Sequence, residues 1–154
     1  MTKEHQVFKE TIAAFKKRSS CERIKVSAII IKNGRIISTG WNGTPSGQVH
    51  CNDYFAKKYR GKDPYTVMGF SDEHKEYSQR YEIHAEQNAI AYAARNGIKT
   101  EGTTLYISIS PCLDCAKLIC SAGIEKVFYF KEYDRDNRGI DFLLENNIMC
   151  EELK

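Results

Sequence analysis

The segment Val26-Ser27-Ala28-Ile29-Ile30-Ile31 sets the strongest limit on the fold. A compact, mostly β-branched run without polar alternation reads as a buried strand, and such a strand needs cover on both faces. Asn33-Gly34 follows, and both residues tolerate positive φ, so the chain turns back in a tight hairpin with Ile36–Trp41 as the antiparallel partner. Val7, Phe8, Thr11, Ile12 and Phe15 mark a first helix over about 3–18. The loop from Gly40 to Gly47 carries glycines and a proline. After it, the alanine-rich stretch 83–96 stops at Gly97, and 112–122 stops at Gly123, as helices do at a left-handed cap. Strands over 104–109 and 127–130, a helix over 139–146 and an edge strand at 148–150 complete the pattern. Strands alternating with helices imply an α/β domain with helices on both sheet faces. Residues from Cys51 to Tyr81 are polar, aromatic-rich and poorly periodic, which predicts a long segment tied down for function.

A length of 154 residues favours one domain over 1–154. The formal net charge of +3 permits an anionic small molecule and does not demand nucleic acid. No apolar run approaches the roughly 20 residues of a membrane span. Met1–Glu10 has no signal-peptide core, so a cytoplasmic location is expected, the host cytoplasm if the chain is viral. Six cysteines would suggest disulfides in a secreted mini-protein; here they read as metal ligands or small buried residues. Cys120 and Cys150 fall in the second group, and His5 reads as a solvated helix residue.

Two short motifs carry the chemistry. One is His84-Ala85-Glu86 at the start of the alanine-rich helix, the other Pro111-Cys112-Leu113-Asp114-Cys115 at the start of the next. Cys112 and Cys115, three apart in a first helical turn, place both sulfurs on one face. The helix dipole and free N–H groups there favour thiolates. One imidazole and two thiolates give Zn²⁺ three ligands and leave one tetrahedral position open, where water loses its proton near neutral pH. Glu86 is then placed to move that proton to a ring nitrogen and on to leaving ammonia. The pairing of His-x-Glu with Pro-Cys-x-x-Cys is the signature of zinc deaminases.

With Lys25-Val26-Ser27-Ala28, the run Lys32 to Gly40, Trp41-Asn42-Gly43 and Ser110 through Ala116, these motifs make the chain resemble the cytidine deaminase superfamily. Within it, the chain is similar to the deoxycytidylate deaminases of T-even-type bacteriophages, from Cys21 to about Cys150. The family usually has glycine at Ser27 and tyrosine at Trp41. The resemblance implies a three-layer α/β/α fold around a five-stranded mixed sheet. It implies His84, Cys112 and Cys115 as catalytic zinc ligands, Glu86 as proton shuttle, and dCMP as substrate, converted to dUMP for thymidylate synthesis. It implies a role for Asn42 in placing the nucleotide, with Trp41 and Gly43 in a loop near an effector site. It further implies activation by dCTP with Mg²⁺, inhibition by dTTP, and a homo-oligomer, with hexamers common.

The same resemblance places a second, structural zinc on Cys21, Cys51, His74 and Glu82. Four ligands would fasten the ends of the polar segment to the start of the first strand, and closed coordination contributes folding energy. His50, next to Cys51, is an alternative ligand that the family pattern does not select. Arg23 and Lys25 are candidates to meet a phosphate, and Tyr129, Tyr133 and Arg135 to border the cleft at strand ends. Two other functions share parts of this signature: a tRNA-adenosine-type deaminase, and a non-catalytic zinc-binding module. A polynucleotide enzyme would need a basic face or aromatic platform. The near-balanced charge argues against it, and no nucleic-acid or membrane partner is expected.

Overall fold

The computed structural model describes residues 1–133 and 136–154. Arg135, a candidate cleft residue above, lies outside them. The order is α1 (Lys3–Lys16), β1 (Ser27–Lys32), β2 (Arg35–Trp41), α2 (Cys51–Lys58), α3 (Phe70–Tyr81), α4 (Ala85–Arg95), β3 (Thr103–Ile107), α5 (Leu113–Ser121), β4 (Ile124–Tyr129), α6 (Arg138–Glu145) and β5 (Met149–Glu152). The strands form one mixed sheet in the order β2-β1-β3-β4-β5. β1 is antiparallel to both neighbours, while β3, β4 and β5 run parallel.

The period of two in a strand explains the layers. Ala28 and Ile30 of β1 pack with Leu105 and Ile107 of β3 beneath α4, α5 and α6. Ile29 and Ile31, one step out of phase, pack with Tyr106 against Phe8 and Ile12 of α1. β1 is thus apolar throughout because both its faces are covered, and Ile29 and Ile30 are fully buried. Each such side chain stabilises the fold by about 1.5–3 kcal/mol. The hairpin turn has Asn33 at φ 50° and Gly34 at φ 72°, the positive values a two-residue turn of this hand requires. Ser27 faces α1, where its hydroxyl donates to the Ile12 carbonyl at 2.7 Å. Cys120 and Cys150 are half-buried against the larger core. Among the described residues, no helix is long and apolar enough to cross a membrane.

The segment 51–81, poorly periodic in sequence, forms α2 and α3, joined through a 3₁₀ turn at Pro64–Thr66. Its small core is Cys51, Phe55, Phe70 and Tyr77, with Tyr59 and Val67 packed against it. The helical spacing is present in these positions, but few apolar residues carry it and His74 occupies one buried place. One expectation needs correction: His5 is not simply solvated. It is half-buried, with its Nδ1 2.8 Å from the Tyr106 hydroxyl and its ring 4.9 Å from that of Phe128.

Candidate active site

The antiparallel pairing of Ala28 with Ile107 brings the start of β1 beside the end of β3. From that end the chain runs through Ser110 and Pro111 into α5, and α4 begins nearby. His84 is the N-cap of α4 and Cys112 the N-cap of α5, both in extended conformation, so Cys112 lies just outside the first turn that holds Cys115. Two helix N-termini therefore meet, and their dipoles favour the anionic sulfurs. The His84 N–H donates to Gln87 Oε1 at 2.8 Å, which fixes the backbone of that cap. Two glycines allow the close approach. A Cβ on Gly40 of β2 would collide with the Ala85 carbonyl, and one on Gly139 of α6 with the Pro111 carbonyl.

His84 Nδ1 lies 3.5 Å from Cys112 Sγ and 3.3 Å from Cys115 Sγ. An ion holding sulfur at about 2.3 Å and imidazole nitrogen at about 2.0 Å in a tetrahedron has an S···N edge near 3.5 Å. The three donors, mutually within 4.8 Å, fit zinc with one corner to spare. Contact with Cys115, then with His84, pulls the Cys112 thiol down to about 4, while the same pairing and burial push Cys115 up. Cys112 in turn raises His84 to about 9. Glu86 is 3% exposed, and burial pushes its carboxyl to about 7 despite the nearby His84. A carboxyl poised there can both accept and deliver a proton at neutral pH.

His84, Glu86 and Cys112 form the floor of a cleft of about 520 Å³, a volume suited to a small molecule. One wall is Arg23, Ile24 and Val26 with Asn42, another is α3, and Ile109, Ser110 and Tyr133 close the rim. Asn42 reaches the cleft with most of its side chain committed. Its Oδ1 accepts from the Val26 N–H at 2.8 Å and the Ser19 hydroxyl at 2.8 Å, and its Nδ2 donates to the Ile24 carbonyl at 2.7 Å. It thus holds the wall in place. Gly43 pairs with Ile83, tying this loop to the residue before His84. Trp41 and Lys25 lie outside the cleft: Trp41 packs beside Phe15 with the Arg18 guanidinium 4.4 Å from its ring centre, and Lys25 borders a shallow groove with Lys17, Arg18 and His50. Tyr129 is buried in the core. In the sequence, the one signal of the α3 wall is the spacing of Phe70, His74 and Tyr77, its buried residues.

A second donor group lies beside the cleft. Cys21, Cys51, His74 and Glu82 place one donor atom each within 4.8 Å of one another. Cys21 Sγ is 3.4 Å from His74 Nε2, the same tetrahedral edge. Both Glu82 oxygens are buried without a hydrogen-bond partner among the described residues, an arrangement that is costly unless a cation is present. Burial first, then Cys21, raise its pKa. His50 is exposed and outside the cluster, 3.5 Å from the Ser20 hydroxyl.

Comparison with known proteins agrees with this geometry. Residues 1–131 match the family described as the cytidine and deoxycytidylate deaminase zinc-binding region. The deoxycytidylate deaminase of Enterobacteria phage T4 is 45% identical over 150 residues, covering 83% of this chain and 78% of that protein. That of Mycobacterium phage D29 is 39% identical over 115 residues, 75% of this chain and 84% of its own. The crystal structure of dCMP deaminase from cyanophage S-TIM5 in complex with dCMP and dUMP superposes with a TM-score of 0.76 at 35% identity, covering 99% of both chains. The chain therefore belongs to the cytidine and deoxycytidylate deaminase family of zinc-binding enzymes.

Proposed function

We propose that this chain is a single-domain enzyme that hydrolyses dCMP to dUMP and ammonia, supplying dUMP for thymidylate synthesis. The observation that carries the proposal is a buried carboxyl, Glu86, beside a three-donor group with an open corner, at the floor of a cleft of about 520 Å³. Zinc, when held by His84, Cys112 and Cys115, supplies a Lewis acid that makes water a nucleophile near neutral pH. Glu86 is placed to take a proton from the water that adds to C4 of the cytosine. It delivers the proton to N3, and then carries the second proton of the water to the departing amino group as the C4–N bond breaks. Asn42 keeps the opposite wall fixed by its hydrogen bonds to Val26 and Ile24.

Three further readings belong to this proposal. Cys21, Cys51, His74 and Glu82 hold a second, structural zinc, supported by the unpartnered Glu82 carboxyl. The groove with Lys17, Arg18 and Lys25, flanked by Trp41, receives dCTP with Mg²⁺ or dTTP as effectors, supported by its cations. The enzyme works in the cytoplasm as a homo-oligomer, with a hexamer favoured; exposed Ile24, Tyr65 and Met68 are available for contact between copies. Ammonia release from dCMP and from tRNA, each alone, tests the reaction. Turnover of dCMP is expected; turnover of tRNA without dCMP would contradict it.

A further inference from the structure

Glu86 at the floor of the cleft is buried, whereas Lys75 at its mouth is exposed. A nucleotide with its base at Glu86 must leave its charged end toward that mouth. Arg23 and Lys75 are the arginine and lysine among the cleft's described lining residues. They stand on different walls, Arg23 on the segment before β1 and Lys75 on α3. These walls are brought together one and two residues away, where Cys21 Sγ lies 3.4 Å from His74 Nε2. Neither cation has an ion-pair partner among the described residues. On α3, Ser71 and Ser78 lie one turn to either side of Lys75 and also line the cleft, adding hydroxyl donors on the same face. Asp72 is the acid in the lining nearest Lys75 in sequence, and it disfavours an anion there unless both cations contribute.

We infer that Arg23 and Lys75 together clamp the 5′-phosphate of the substrate, and so set the preference for a nucleotide over a nucleoside. The inference rests on the dCMP reading above and adds the residues that select the phosphate. Arg23 supplies a planar fork and Lys75 a point charge, which together suit a phosphate monoester dianion.

The test compares wild type, Arg23→Gln, Lys75→Met and Arg23→Lys on dCMP and on deoxycytidine, with zinc content measured for each. Loss of a charge-assisted contact raises KM for dCMP by about 10- to 100-fold, with kcat within a few-fold. The value of kcat/KM for deoxycytidine stays unchanged, and Arg23→Lys recovers part of the loss. Equal losses on both substrates, or an unmoved KM for dCMP, overturn the clamp while leaving the reaction intact. A wild-type protein that turns over deoxycytidine but not dCMP overturns the reading on which the clamp rests, and the clamp with it.

Discussion

Replacing Glu82 by Gln distinguishes two accounts of the buried donor cluster by the sign of its effect. The Glu82 carboxyl is enclosed with neither oxygen hydrogen-bonded among the described residues, and burial beside Cys21 raises its pKa. Without a cation such a group weakens the fold, since an unsatisfied buried acceptor costs about 1–3 kcal/mol. A neutral amide then melts at the same temperature as wild type or higher. With a cation held by Cys21, Cys51, His74 and Glu82, the substitution removes one side of a buried charge pairing, at about 3–5 kcal/mol. In a chain of 154 residues each kcal/mol moves Tm by about 2–4 °C. The expected result in zinc-replete buffer is therefore a Tm lower by about 10 °C. Thermal melts before and after chelator dialysis read this directly: the difference between the two proteins is large with zinc and disappears without it. A variant that melts at or above wild type in zinc-replete buffer would refute the structural-metal account.

Gly139→Ala forces α6 away from the Pro111–Cys112 backbone. Overpacking of this kind costs about 1–3 kcal/mol, and elemental analysis should show less zinc bound than in wild type at equal concentration. Tyr77 and Tyr106 are each raised to about 12, chiefly by burial. Their contribution to stability is complete below about pH 10, where the unfolded tyrosines ionise, and is lost as pH rises toward 12. Melts across that range should show a falling Tm, with a shallower fall for Tyr106→Phe.

The central sheet was legible in the sequence because β1 is buried on both faces and its turn needs two positive φ values. The first donor group was legible because each half is local, His84 with Glu86 and Cys112 with Cys115, at helix starts marked by proline and an alanine-rich run. The second helical pair was not. The core of α2 and α3 rests on a few aromatics and a buried histidine, too thin a stripe for periodicity to show. The role of Asn42 was also hidden, since two of its partners are backbone groups of Ile24 and Val26 that only the folded loop presents. The environment of His5 does not show in local pattern because its partner, Tyr106, is 101 residues away.

The most direct test of the account is the Glu86→Gln variant, assayed for dCMP turnover and for bound zinc on the same preparation. The carboxyl is buried beside the donors of His84, Cys112 and Cys115 and is not one of the clustered donors. The account predicts unchanged zinc content and a rate lower by about a thousandfold, within the range for loss of a general acid–base group. A variant that keeps its zinc and turns over dCMP within a few-fold of wild type would contradict it.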